Sequence, residues 1–259
     1  MAAADTIHPG RKWTDWEARL RNAPASAPAL FSGSDLDGLP EPVRRYLTRA
    51  IAPDTRLTRC VHLRMRGSIK LRRWLPFRAR QILSPHDGFI WAARVAGVIA
   101  GSDRYLDGDG GMDWKLAGLV TLVHQDGPDV SRSAAGRGGA EAVWLPTTLL
   151  PRFGVRWSAQ DDTHITASYQ LGDTPIVICY TLDPDGYITS FVFDRWGDPD
   201  STGLWAWHPF GGEITAQRTF GGLTIPGSGR LGWHFGTDRW PSGEFFRYQV
   251  TQLQPTPDR

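Results

Sequence analysis

TPIVICYTLDPDGYITSFVFDRW, residues 174–196, decides the fold class. Two runs rich in Ile, Val, Tyr, Phe and Thr, residues 174–182 and 187–196, flank Asp183-Pro184-Asp185-Gly186. β-Branched and aromatic residues suit a pleated, half-buried surface. Pro and Asp start a turn, and Gly accepts the positive φ that closes it. The stretch therefore predicts an antiparallel hairpin. The same signal recurs outward on both sides. Val61, Leu63 and Met65 alternate with His62, Arg64 and Arg66, the period of a strand with one apolar face. Residues 89–99 read as another strand, after the turn residues 84–88, and residues 213–220, 230–235 and 245–253 as three more.

Helix is confined to short pieces. Residues 12–22 place Trp13, Trp16 and Leu20 on one helical face. A second helix begins near Pro40-Glu41-Pro42, since proline is tolerated in a first turn; it buries Val43, Leu47, Ala50 and Ile51 and ends at Pro53. Residues 114–119 and 137–150 are the remaining helix candidates. The expected architecture is mainly β, a curved antiparallel sheet or open half-barrel with a few short helices. Residues 1–38 read as an N-terminal helical and linker segment, with Ala23-Pro24-Ala25-Ser26-Ala27-Pro28 as the linker. Residues 39–259 read as a single β-rich ligand-binding domain.

Composition removes several function classes. No apolar run in the 259 residues approaches the roughly 20 needed to cross a membrane as a helix. Residues 1–13 lack the hydrophobic stretch of a signal peptide. The expectation is a cytoplasmic protein with no integral membrane segment. Cys60 and Cys179 have no metal-ligand spacing and read as buried reduced thiols, their proximity left open. Gly227-Ser228-Gly229-Arg230-Leu231-Gly232 spells a dinucleotide fingerprint, but it runs into Trp233-His234-Phe235, a strand pattern, where the fingerprint needs a helix. The loop from Asp198 begins like a calcium loop, yet its twelfth position is Pro209 where a bidentate Glu is required. No two histidines bracket a Glu at zinc-protease spacing. No cofactor and no metal are expected.

Charge is unevenly spread. Between Glu41 and Arg80 there are twelve Lys/Arg and two acids. Alternation puts His62, Arg64, Arg66, Ser68, Lys70 and Arg72 on one face, with no stacking aromatic before Trp74, so a single-strand nucleic-acid groove is not expected. A solvated sheet face is the plain reading; an anionic partner or membrane headgroups is the alternative. Twelve tryptophans are present, ten of them from Trp74 to Trp240. A packed core accounts for most, because each ring brings a large apolar face. Trp91, Trp144, Trp196, Trp207 and Trp233 lie beside charge or on mixed faces and are candidates for the wall of a ligand cavity. Tyr105 and His208 join them as substrate-binding candidates, with His234 a lesser one.

The segment Arg137-Gly138-Gly139-Ala140-Glu141-Ala142-Val143-Trp144-Leu145-Pro146-Thr147-Thr148-Leu149-Leu150-Pro151 carries a resemblance. It is similar to an R-aromatic-L-x-E-x-x-W-x-P-x-x-L-L pattern in a family of uncharacterised bacterial proteins, a domain of unknown function. Leu39-Pro40, Val43, Tyr46-Leu47, Asp103, Tyr105, Gly108, Trp157, Asp161-Asp162 and Asp185-Gly186 resemble further pieces in the same order. Asp194-Arg195, Trp207, Ile225-Pro226, Trp233 and Phe246-Arg247 extend the likeness, which spans roughly residues 39–253. The resemblance implies a half-barrel sheet around an apolar groove, similar to lipoprotein carriers. It brings no settled activity and no catalytic residues. Many members begin with membrane helices.

The departure from that pattern is Gly138-Gly139, where the family has a bulky pair. Each Gly inside a helix costs about 1 kcal/mol relative to Ala. One reading is a plain loop; the other is that the missing side chains leave room for a ligand beside Arg137 and Glu141. In a helix those two stand at i, i+4, with Glu141 either a general acid/base in an apolar setting or half of an ion pair. Asp194 and Arg195 form the second candidate pair: Arg195 shares a strand face with Phe191 and Phe193. The expected catalytic set is thus Glu141, Asp194, Arg195 and Arg137. The expected function is a cofactor-independent enzyme of isomerase or cyclase type acting on a lipophilic small molecule. The alternative is a non-catalytic lipid or hydrophobic-ligand carrier.

Overall fold

The structure is a computed structural model that describes residues 11–21 and 29–256; the linker read at 23–28 lies outside the described residues. After α1 (Arg11–Arg21) and α2 (Glu41–Ala50) the chain makes six strands in succession. These are β1 (Val61–Lys70), β2 (Trp74–Ser84), β3 (Gly88–Val95), β4 (Ile99–Leu106), β5 (Asp109–Leu116) and β6 (Val120–Gln125). Helix α3 (Pro128–Ala140) and three short 3-10 turns between Glu141 and Phe153 follow. Seven more strands complete the fold. They are β7 (Arg156–Ala159), β8 (His164–Leu171), β9 (Thr174–Leu182), β10 (Ile188–Gly197), β11 (Ala206–Phe220), β12 (Leu223–Trp233) and, after the single turn α4 (Trp240–Gly243), β13 (Glu244–Pro255).

All thirteen strands form one unclosed antiparallel sheet in the order β6-β5-β4-β3-β2-β1-β13-β12-β11-β10-β9-β8-β7. It is the half-barrel expected from the sequence. The order describes two meanders, each built from neighbours in sequence, welded by β1 to β13 in the middle. That weld pairs Val61 with Pro255 and Ile69 with Phe246, and Thr256 N–H donates to the Cys60 carbonyl at 2.9 Å.

The concave face carries the main core. Val61, Leu63 and Met65 of β1, Phe77 and Leu83 of β2, and Phe89, Trp91 and Val95 of β3 are buried there, while Ile82, Ile90 and Ala92, one residue out of phase, face the convex side. Helix α1 covers that convex side with Trp13 and Leu20, and Arg80 lies over the Trp13 ring at 4.2 Å. Phe31, Leu36 and the Val43, Tyr46, Leu47 face of α2 join the main core. Helix α3 crosses the concave face and touches β3, β4 and β5 on one arm and β8, β9 and β10 on the other. Among the described residues no helix is long and apolar enough to span a membrane.

The hairpin at 174–196 forms as read: the Asp183 carboxylate accepts the Tyr187 N–H at 2.8 Å and Gly186 takes φ 91°. Three expectations change. Residues 114–119 are not a helix; Trp114 to Leu116 finish β5, and Ala117-Gly118 turn the chain with φ of 50° and 74°. Ala96-Gly97, at 48° and 74°, does the same, so the strand expected over 89–99 ends at Val95 and a new one starts at Ile99. Such turns match the twist of the strands they join, and cross-strand pairing overrides the helix preference of Leu and Ala. Second, the helix expected over 137–150 begins at Pro128 and ends at Ala140, giving way to 3-10 turns because Pro146 and Pro151 break regular helix. Third, Cys60 is buried but Cys179 is exposed, on the outward face of β9.

Candidate functional site

Helix α3 presents Val130, Ser133, Ala134, Arg137 and Glu141 at helical spacing to a cavity of about 450 Å³ held between it and the two arms of the sheet. The arm of β1 to β6 contributes Met65, Phe89, Trp91, Trp114 and Met112; the other contributes Phe191, Phe193, Phe210, Trp233, Phe246 and Tyr248. Size and aromatic lining are those of a small-molecule site. Trp144 closes the deep end, fixed by its Nε1–H to the Pro226 carbonyl at 3.2 Å and set edge-on to Tyr248 with centroids 5.3 Å apart.

Two arginines enter this apolar space and are treated differently. Arg137 donates from Nε to Glu141 at 2.8 Å and from Nη1 to Asp103 at 2.7 Å. Its guanidinium lies 4.7 Å from the Phe89 centroid and 5.1 Å from that of Trp91. Burial alone pulls its pKa down, but Glu141 and Asp103 outweigh burial and leave it raised. Both carboxylates are anchored in turn: Gln81 Nε2 donates to Glu141 Oε2 at 2.5 Å, and Trp114 Nε1 to Asp103 Oδ1 at 2.9 Å. Each member of this triad is thereby satisfied, as a buried ion pair must be.

Arg195 has no carboxylate within salt-bridge distance among the described residues. Its Nε donates to the Ser133 carbonyl at 3.3 Å, and its guanidinium is stacked over Phe210 and Trp233 at 4.8 and 5.0 Å. Burial, with Arg137's charge adding to it, pushes its pKa down to about 9. The group is a cation at neutral pH all the same, as arginine is in proteins. Trp91 Nε1–H, also in the cavity wall, finds no acceptor among the described residues. The site thus holds donors without acceptors.

Of the residues expected from the sequence, Glu141, Arg137, Arg195, Trp91, Trp144 and Trp233 converge on the cavity. Asp194 does not: strand alternation that turns Arg195 inward turns Asp194 out to solvent. Tyr105 is buried in the core as the β4 partner of Phe89, and burial, then Asp173 and Asp109, raises its pKa. Trp196 sits outside the cavity, its Nε1–H on Asp129 at 2.8 Å, edge-on to the half-exposed Trp207. His208 packs against the Trp233 and His234 rings and does not border the cavity. Asp103 and the Phe191, Phe193, Phe210, Phe246 group were not singled out as site residues; alternation along β10 was the one available signal.

Gly138 and Gly139 do not open the cavity. A Cβ on Gly138 would lie 3.0 Å from Phe89 and 3.2 Å from Leu171; one on Gly139 would lie 2.6 Å from Ile176. The pair lets α3 press against the sheet on its far side. Among the described residues no group of three or more His, Cys, Asp or Glu side chains is placed to hold a metal.

The profile of a family described as a family of unknown function, DUF6544, matches residues 29–245. Among curated proteins none matches the chain significantly. Two solved structures are similar in fold. One is a putative outer membrane lipoprotein-sorting protein domain from Vibrio parahaemolyticus, with TM-score 0.41 and 9% identity over 77% of this chain and 86% of that one. The other is a LolA superfamily protein from Nitrosomonas europaea, with TM-score 0.44 and 10% identity over 88% and 95%. The cytoplasmic placement expected above is withdrawn: one of these neighbours is described as a putative outer membrane lipoprotein-sorting protein domain. A polar N-terminal sequence was too little to fix a compartment.

Proposed function

The chain belongs to the DUF6544 family, and we propose that it binds an amphiphilic small molecule without transforming it. The apolar body of the ligand lies along Trp91, Trp144, Phe210, Phe246 and Trp233, and an acceptor-bearing head reaches Arg195. One observation carries this reading: a half-buried guanidinium, stacked on aromatic rings, faces the cavity with no carboxylate partner among the described residues. Leaving a buried charge unpaired is costly, and a carboxylate or phosphate head would match the planar fork of arginine.

Binding is favoured over the isomerase or cyclase expected from the sequence because the cavity carboxylates are engaged. Both oxygens of Glu141 already accept hydrogen bonds, from Arg137 and Gln81. Asp103 is held by Arg137 and Trp114. A general base works by taking a proton from substrate, and carboxylates whose every oxygen is already held by a donor of the protein are better suited to anchoring Arg137.

The test is titration of the delipidated protein with a long-chain carboxylate and with the alcohol of equal length, read by quenching of the wall tryptophans. Both probes are expected to bind, the carboxylate about tenfold to a hundredfold tighter, the range of hydrogen bonds to a charged group. Arg195→Met should keep alcohol binding and erase the preference. If neither probe binds the wild type, the reading is wrong.

A further inference from the structure

Ten large hydrophobic side chains are exposed among the described residues, and eight of them stand at one end of the sheet. Leu71 is in the β1–β2 turn, Val98 in the β3–β4 turn, and Leu116, Leu119, Val120 and Leu122 lie in and beside the β5–β6 turn. Leu204 and Trp207 are at the same end of the other arm. In an antiparallel meander alternate turns share an end, and here they touch. Ala96 N–H donates to the Pro76 carbonyl and Ala117 N–H to the Val98 carbonyl, both at 2.8 Å. Leu119 is 85% exposed, the extreme of the set.

Charge accompanies the apolar tips on the β1–β6 arm. Lys70, Arg72 and Arg73 flank Leu71, Arg94 precedes the Val98 turn, and Lys115 precedes Leu116; residues 70–74, 94–99 and 115–120 contain no acid. The other arm is balanced at this end, with Asp200 held by Arg239 at 2.8 Å. Ile69, Leu71, Val95, Ile99 and Leu122 also border the cavity, so its mouth opens among these same turns.

We propose that the β1–β2, β3–β4 and β5–β6 tips are a docking surface for an anionic lipid bilayer, with Leu71, Val98 and Leu119 entering the interface and the five basic residues meeting phosphate. A row of short turns, each carrying an exposed aliphatic side chain beside basic residues, suits an anionic bilayer, where the aliphatic side chains enter the interface and the charges stay at phosphate. Basic residues at an anionic surface add attraction of the same sign from each position, and aliphatic side chains add partition into the headgroup–acyl boundary. The mouth of the cavity then faces the layer from which an amphiphile would enter, although docking does not depend on what the cavity holds.

Co-sedimentation with phosphatidylcholine vesicles, with and without phosphatidylglycerol, tests this. The full chain should pellet with the mixed vesicles, stay in solution with phosphatidylcholine alone, and be released by high salt. A Lys70→Gln, Arg72→Gln, Arg73→Gln variant should lose affinity on the order of a hundredfold. Leu119→Asp should also weaken pelleting, with an unchanged circular dichroism spectrum. Arg72, Arg73 and Leu119 are exposed turn residues and Lys70 is the terminal residue of β1, so the fold is expected to survive these changes. A wild type that ignores both vesicles, or variants that bind as well as wild type, overturns the proposal. Self-association in the ultracentrifuge that Leu119→Asp abolishes, without vesicle binding, overturns it in favour of a second copy as the partner.

Discussion

Arg137 and Arg195 share one cavity, yet their surroundings assign them opposite roles. Arg137 is structural: removing one partner from a buried charge cluster typically costs about 3–5 kcal/mol, and Arg137→Met would leave Asp103 and Glu141 facing each other. Urea denaturation should show a loss of that size, with ligand binding at Arg195 retained in the folded fraction. The i, i+4 half of the triad could be read from the sequence because helix geometry is local. Asp103 could not, since it reaches Arg137 across 34 residues from a neighbouring strand. His86 supplies a pH effect at the same scale. Burial, reinforced by Arg59, lowers its pKa below the ordinary 6.5, while its Nε2–H donates to the Thr148 carbonyl. Below about pH 6.5 the unfolded chain takes up a proton that the native state refuses, so stability falls as pH drops toward the native value. Stability curves between pH 7.5 and 5 should therefore be flatter for His86→Gln than for the wild type.

Helix α3 is the element that converts a sheet into a site, and its sequence hides it. Eight of its thirteen residues from Pro128 to Ala140 are Gly, Ala or Ser, with two arginines among the rest, so no strong apolar stripe announces a helix. The start is signalled only by Pro128-Asp129, proline in the first turn and an acid at the positive end of the dipole. Close packing explains the composition. For Gly139→Ala, helix propensity favours Ala by about 1 kcal/mol, but overpacking against Ile176 costs about 1–3 kcal/mol. The net expectation is destabilisation of up to roughly 2 kcal/mol. Adding Ile176→Ala removes the clash, so the double variant should be more stable than the sum of the single losses, a coupling that a double-mutant cycle measures. The strands were more legible because apolar alternation is a local pattern. The two Ala-Gly turns were not, because Ala carries no turn signal and takes positive φ only under the pull of the paired strands.

At the scale of the whole molecule the sheet is a six-stranded and a seven-stranded meander joined where β1 pairs with β13. Hairpin signals reveal the meanders, since each pair is close in sequence. Nothing local reveals the weld, because β1 and β13 meet through register alone. A chain ending at residue 243 should lose the cooperative thermal transition seen by circular dichroism, as its two meanders would share only the contacts made through α3. The same weld bears on how the protein is made. β13 leaves the ribosome well after β1, so at about 5–20 residues per second roughly 10–40 s pass between them. For that interval the middle of the finished sheet is an open edge with an apolar face, the kind of surface that recruits other chains. The newborn protein is therefore at its most vulnerable along the seam that later becomes its most protected line, and a holding chaperone has its natural target there.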